Sequence, residues 1–385
     1  MKNIYYITKC DFNNNTSTSL RIKNVCKTIN LSFGYKASIF GWSNKIYINS
    51  IDGITLKHFK KGNNLINKFI NFIYYPFRVI KYLKTTTKPF IIVLYGIENF
   101  ELLLYKNYCK KNNIKIIYDA VEWYDYNNYK LKYINPLVWS IHITINNILP
   151  KLDGIIAISS FFNNFFLNKN IPTIIIPPLM EEKKISLNKI KSKLDSNYLN
   201  IIYTGIPGIK DCIWNVISGV QKLFKKGYKV KLHIFGCTYK YLNENYPDLL
   251  INKKCIKCYG YISHDDLEVY LKSADYSVLT RDPNNRKSKA GFSTKFVESL
   301  SYGLPVIANI SGDLGNYLKD NYNGYILENE SENAFIKKML NIIDNYDNIN
   351  PDIRLNAYKT FKQHFSISKE YSNKLINFFN YINKK

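Results

Sequence analysis

The chain has 385 residues, 46% of them hydrophobic, and a formal net charge of +25. That length exceeds what one core usually covers, so two domains are expected, and the apolar content excludes wholesale disorder. The basic excess leans to the first half, with 26 Lys/Arg to 10 Asp/Glu in residues 1–190 against 28 to 19 afterwards. It suits phosphorylated substrates, an anionic membrane surface or nucleic acid, or it is compositional, since Lys, Asn, Ile and Tyr load the chain throughout.

The N-terminus enters a strand-like Ile4–Ile7 directly, without the apolar core and cleavage site of a signal peptide. No run approaches the roughly 18 apolar residues of a spanning helix. The seven cysteines, Cys10, Cys26, Cys109, Cys212, Cys237, Cys255 and Cys258, are scattered and odd in number. Only Cys255 and Cys258 have metal-like spacing, and no second pair or His set completes a site, so they read as strand residues. We therefore expect a cytoplasmic protein, soluble or peripheral at the inner face of a membrane.

Short apolar runs alternate with helical patterns, which predicts an α/β protein with parallel sheets. In the first half, strands are expected at Ile4–Thr8, Lys36–Phe40, Phe90–Tyr95, Ile114–Tyr118, Gly154–Ile158 and Thr173–Ile176. Helices are expected at Leu20–Leu31, Asn64–Leu83 (kinked or split at Pro76), Asn99–Asn112, Pro136–Leu149 and Ser160–Leu167. Asn64–Leu83 mixes aromatic and basic residues, and Lys57, Lys60 and Lys61 lie just upstream. It could cover the core or rest on an anionic membrane. Pro177-Pro178 then stops regular structure, and the Lys-rich stretch to about Tyr198 reads as a linker. A second alternation follows. Its strands are expected at Asn200–Thr204, Lys229–Phe235, Cys255–Tyr259, Tyr276–Thr280, Pro305–Ala308 and Gly324–Leu327. Its helices are expected at Cys212–Phe224, Asp265–Ser273, Thr294–Tyr302, Leu314–Lys319, Glu332–Asn345, Asp352–His364 and Ser368–Ile382. The domains are then 1–180, a linker 181–199, 200–365, and a terminal helix 366–385 packing back on the first domain. Facing strand ends of two such halves would form a cleft.

Two segments suggest anion binding. Lys289-Ala-Gly-Phe-Ser-Thr-Lys-Phe-Val-Glu298 reads as a loop, Lys289–Ser293, entering a helix whose first N–H groups can hold a phosphate. Glu298 lies one turn further in, placed for ribose hydroxyls, with Lys295 beside it. Thr204-Gly-Ile-Pro-Gly-Ile-Lys-Asp211 makes a tight strand-to-helix turn that would put Lys210 at the same sheet edge. Either segment by itself also fits an ordinary β–loop–α unit.

Together with His233-Ile-Phe-Gly236, Gly260-Tyr-Ile-Ser-His-Asp-Asp-Leu267, Leu271-Lys-Ser-Ala-Asp-Tyr-Ser-Val-Leu279 and Asn323-Gly-Tyr-Ile-Leu327, these segments resemble the nucleotide-binding half of the family 4 glycosyltransferases. In the first half, Tyr118-Asp-Ala-Val-Glu-Trp-Tyr-Asp125 and Asp153-Gly-Ile-Ile-Ala-Ile-Ser-Ser160 are similar to two acceptor-side segments of that family. The resemblance implies a GT-B fold, two Rossmann-like domains facing across a cleft. It also implies metal-independent, retaining transfer from a nucleotide diphosphate sugar to a saccharide or lipid-linked acceptor, in surface polysaccharide synthesis and without a cofactor. Thr204, Gly205, Lys210, Arg281, Gly291, Phe292, Ser293, Thr294, Lys295 and Glu298 would hold the donor. Glu122 and Lys210 would be catalytic, with Trp123, Tyr124 and Asp125 on the acceptor side. Glu122-Trp-Tyr-Asp125 reads equally as a capping acid with packing aromatics.

Two positions depart from the family pattern. Ala290 stands where the first Glu of Glu-x7-Glu is usual, and Ile206-Pro207 where a basic residue is. The Asn13–Ser19 loop also lacks the glycines relatives have there. A sugar-nucleotide epimerase of the same architecture and a non-catalytic binder of anionic lipid or nucleic acid are the alternatives. The absence of a nucleic-acid motif argues against nucleic acid as partner.

Overall fold

The computed structural model describes residues 1–13, 16–44, 48–123, 134–183, 193–208, 210–345 and 351–385. The chain divides into two compact units, Met1–Glu181 with Ile367–Lys385, and Glu182–Ser366.

The first unit begins β1 (Lys2–Thr8), α1 (Ser17–Asn30), β2 (Tyr35–Ser43), β3 (Ile48–Ile51), β4 (Ile54–Lys60) and α2 (Leu65–Leu83). It continues β5 (Ile91–Tyr95), α3 (Asn99–Lys111), β6 (Lys115–Ala120), α4 (Pro136–Ile143), β7 (Gly154–Ala157), α5 (Ser160–Leu167) and β8 (Thr173–Ile175). Its eight strands are ordered β3-β4-β2-β1-β5-β6-β7-β8, all parallel except the β3–β4 pair. A strand covered on both faces is apolar throughout, and every residue of β5 is buried. Thr16 caps α1 by a reciprocal pair: its hydroxyl accepts from Ser19 N–H at 3.1 Å, and its own N–H donates to the Ser19 hydroxyl at 2.8 Å.

The second unit runs β9 (Leu199–Thr204), α6 (Ile213–Lys225), β10 (Val230–Phe235), α7 (Tyr239–Asn245), β11 (Ile256–Gly260), α8 (His264–Ser273) and β12 (Tyr276–Leu279). It ends α9 (Arg286–Ala290), α10 (Thr294–Ser301), β13 (Val306–Asn309), β14 (Gly324–Leu327), α11 (Glu332–Asp344) and α12 (Ile353–His364). Six parallel strands are ordered β11-β10-β9-β12-β13-β14. Helix α6 buries Ile213, Val216, Ile217, Val220 and Leu223, the helical stripe its sequence shows. Finally α13 (Lys369–Lys384) joins the first unit, where Leu375, Phe378, Phe379 and Ile382 share a core with Ile22, Val25 and Ile29 of α1.

Several expectations need correction. The β3–β4 pair was not foreseen, because the alternating polar and basic residues of an edge carry a weak strand signal. Helix α2 is not split: it runs through Pro76 over 19 residues. The helix expected at Pro136–Leu149 ends at Ile143 and becomes a π-turn, Thr144–Ile148. The one expected at Leu314–Lys319 is a short 3-10 turn, Gly312–Asn316. Lys289 and Ala290 belong to α9 and not to a loop.

Candidate functional site

In the second unit, three neighbouring strands end in glycine. Gly205, Gly236 and Gly260 follow or close β9, β10 and β11 with φ of 96°, 104° and 68°, a region that other residues seldom enter. Gly205 N–H donates to Phe235 O at 2.7 Å, and Gly236 N–H to Gly260 O at 2.7 Å. A β-carbon on Gly236 would lie 2.8 Å from the Gly205 backbone. The strand ends are therefore bare backbone at the sheet edge.

Beside them, Ser293 caps α10 by accepting from Phe296 N–H at 3.3 Å. The next residues of that turn carry N–H groups and the positive end of the helix dipole. Lys295 reaches from α10 to β9: its ammonium donates to the Tyr203 hydroxyl at 2.7 Å and lies 4.0 Å from that ring's centre. The buried Asp211 carboxylate stands 3.9 Å from Lys295 Nζ and 3.7 Å from Arg281 Nε. Arg281 follows β12 and is fixed at its backbone, where its N–H and C=O bond the Asn309 side-chain amide at 2.9 and 2.7 Å. Two cations thus share one carboxylate, leaving positive charge at the strand ends. Burial pulls the Lys295 ammonium down to about 8, against the pull of Asp211 and with a contribution from Arg281.

Glu298, one turn along α10, has a side chain only 22% exposed and faces His264 Nδ1 at 3.8 Å. Burial raises its pKa, and Lys183 and Lys295 oppose the rise. Lys183 lies 3.3 Å from His264 Nε2 and 3.2 Å from Glu268, and it donates to the Tyr302 hydroxyl. Lys210 is half-buried in the turn before α6, and its carbonyl accepts from Asp282 N–H at 3.1 Å. The structure gathers Thr204, Gly205, Arg281, Ser293 and Lys295 around the ends of β9 and β12. The Phe292 ring turns away to pack on Tyr317 and Phe365, at 5.6 and 5.5 Å. Gly291 and Thr294 are partly exposed, and a recess of about 10 Å³ lies between Gly291, Ser293, Arg281 and Asp313.

The first unit holds a larger cavity, about 200 Å³, at the ends of β5 and β6. Its lining includes Tyr95, Glu98, Tyr118, Glu122, Ile141 and Phe162. Glu98 accepts from the Ser140 hydroxyl at 2.9 Å, and burial raises its pKa. Asp119, also in the lining, meets Arg21 Nη2 at 2.7 Å and accepts from the Tyr6 hydroxyl at 2.6 Å. Glu122 is exposed, whereas Trp123 is buried and packs on Phe162 and Phe165 at 6.0 and 4.8 Å. Tyr124 and Asp125 lie outside the described residues. Sequence reasoning gave no role to Tyr203, Asp211, His264 or Glu98. The last could have been noticed as an acid just past a strand end. Among the described residues, no group of three or more His, Cys, Asp or Glu is placed to hold a metal ion.

Comparison with known proteins now bears on this geometry. Residues 189–360, which contain the strand-end glycines, Lys295 and Glu298, match the model of the family Glycosyl transferases group 1. The chain carries a glycosyl transferases group 1 domain. It is also similar to an uncharacterized glycosyltransferase of Methanocaldococcus jannaschii, 28% identical over 186 residues. That similarity takes in 43% of this chain and spans half the length of the archaeal protein. Among solved structures, sucrose-phosphate synthase from Thermosynechococcus elongatus superposes with a TM-score of 0.76 at 13% identity, over 99% of this chain and 100% of that one. HepE of Anabaena, in complex with UDP and glucose, gives 0.67 at 12%, over 99% and 100%. Such low identities speak to the fold, which is that of the GT-B glycosyltransferases, with two parallel-dominated α/β sheets. The group 1 domain is thus a glycosyltransferase domain, the part of an enzyme.

Proposed function

We propose that the group 1 domain takes its sugar from a nucleotide diphosphate sugar and passes it to a saccharide or lipid-linked acceptor. The observation that carries this is the cluster of Lys295, Arg281 and Asp211 at the strand ends, beside the N-terminus of α10 and with Glu298 one turn in. As the bond between the anomeric carbon and the diphosphate oxygen breaks, the leaving diphosphate keeps the electron pair. Lys295, Arg281, Lys210 and the first-turn N–H groups of Ser293 and Thr294 stabilise that charge. Gly205 and Gly291 leave room for backbone approach, Thr204 ends the strand beside them, Phe292 holds the Gly291 turn from behind, and Glu298 accepts from the ribose hydroxyls. No cofactor enters this reading, and metal-independent transfer with retention at the anomeric carbon follows the family 4 resemblance.

In the first unit, the acceptor hydroxyl would bind in the cavity at Glu98 and Glu122. It forms the new bond to the anomeric carbon and loses its proton to a carboxylate. Trp123 supports that wall, with Tyr124 and Asp125 following it in sequence. A role in surface polysaccharide synthesis fits such an acceptor. The test is a screen of UDP-, GDP- and ADP-sugars with mass detection of hydrolysis or transfer. Release of the matching nucleoside diphosphate from one donor class supports the reading, and no turnover or binding of any donor overturns it.

A further inference from the structure

Helix α2 is held to the first unit by one narrow stripe, Asn71, Tyr75, Val79 and Leu83, with Pro76 beside it. Its opposite face is apolar and open to solvent. Leu65, Ile66 and Phe69 are 83, 71 and 66% exposed, and Ile73 and Phe77 are exposed as well. The patch continues onto α3, where exposed Phe100 packs against Phe77 at 6.4 Å. Soluble surfaces seldom leave contiguous apolar area of this kind uncovered.

Along α2 and the segment before it the charges are of one sign. Between Asp52 and Glu98 the sequence contains no acidic residue and eight basic ones. Of these, Arg78 and Lys81 are exposed along the last turns of α2, Lys84 just past its end, and Lys60 at the end of β4. Lys57 Nζ lies over the ring of Tyr82 at 5.4 Å, and Lys9 Nζ, paired with Glu101 at 2.7 Å, over that of Phe72 at 3.2 Å, so cations border the aromatic side chains. A second copy of the chain would bring these like charges together. An anionic lipid surface satisfies both the apolar and the basic groups.

We propose that the outward face of α2, with Phe100 of α3, docks on an anionic lipid surface. Leu65, Ile66, Phe69, Ile73 and Phe77 enter the headgroup boundary, and Arg78, Lys81 and Lys84 meet the lipid phosphates. At 19 residues the helix is about 28 Å long and lies along the surface. No described helix is long and apolar enough to cross a membrane. This docking does not depend on the reaction proposed for the second unit.

The test is co-sedimentation of the full chain with phosphatidylcholine vesicles and with vesicles of equal parts phosphatidylcholine and phosphatidylglycerol. Binding is expected to the mixed vesicles and to be far weaker to the neutral ones. Lys81→Glu with Lys84→Glu should weaken it by roughly thirtyfold or more, and Phe69→Ser with Phe77→Ser should remove what persists at high salt. Both variants should keep the parent's circular dichroism and unfolding temperature. Failure to bind the mixed vesicles, equal binding by parent and both variants, or a parent dimer that Phe69→Ser with Phe77→Ser dissociates in the absence of vesicle binding would each overturn the proposal.

Discussion

Lys295 and Tyr203, 92 positions apart, meet at the sheet edge through a 2.7 Å hydrogen bond from ammonium to phenol. That contact ties the first turn of α10 to the end of β9 and makes Lys295 a fixed charge. Burial holds its ammonium down to about 8, below the ordinary lysine value of 10.5. A folded value below the unfolded one means that the folded state has the smaller proton uptake between the two. The charged lysine therefore costs stability below pH 8, and the cost is relieved as pH rises from about 8 toward 10.5. A diphosphate needs the charged form, so its affinity should fall about tenfold from about pH 7 to about pH 9. Titration calorimetry across that range checks this, with Lys295→Met weaker throughout and nearly independent of pH.

Glu298 supplies a second, opposite expectation. Its folded pKa is raised, so ionisation costs the free protein stability as pH rises through the folded value. Glu298→Gln should therefore be no less stable than the parent at neutral pH when no nucleotide is present. With a saturating nucleoside diphosphate the parent should unfold at a higher temperature, and the variant should lose most of that gain. Losing one charge-assisted hydrogen bond corresponds to about ten- to hundredfold in affinity. Scanning calorimetry with UDP, GDP and ADP gives the comparison.

Two of the strand-end glycines, Gly205 and Gly236, should differ in tolerance. A β-carbon at Gly205 would lie 3.0 Å from Lys295 Cε, the far part of a flexible chain, whereas at Gly236 it would lie 2.8 Å from backbone. Both positions also carry the backbone strain of a positive φ, of about 1–3 kcal/mol. Gly236→Ala should thus cost more than Gly205→Ala in urea unfolding. Gly205→Ala should instead show most of its effect in diphosphate affinity, by displacing Lys295.

At the first unit's cavity, Arg21 and Asp119 form a buried pair at 2.7 Å. Arg21→Met strands a buried carboxylate and should cost about 3–5 kcal/mol. Adding Asp119→Leu should return only part of that loss: an apolar pair avoids desolvating either charge, but the buried Tyr6 hydroxyl loses its acceptor. Denaturant unfolding of the two single variants and the double variant measures the coupling.

The parallel sheets were legible because buried strands such as β5 are continuous apolar runs, and α6 repeats its apolar residues at helical spacing. Strand β4, next to the edge strand β3, was missed because Lys57 and Lys60 interrupt it and it is not a continuous apolar run like β5. Glu298 and the Ser293 cap were visible as a local pattern. The Asp211, Lys295 and Tyr203 contacts were not, since they depend on side chains from three separated segments converging after the sheet forms. Lys210 drew attention by its motif, whereas the contacts of Lys295 with Tyr203 and Asp211 come only from the fold.

The route of the chain also sets an order of assembly. The second unit is one continuous stretch, Glu182–Ser366, whereas the first is completed only by Ile367–Lys385. Synthesis runs from the N-terminus, and domains generally fold as units. During translation the earlier-made unit therefore waits with the α1 side of its core uncovered, and the later-made unit can finish first. A chain truncated before α13 should keep a protease-resistant second unit and a protease-sensitive first one. Residues made after the second unit thus complete a core begun before it.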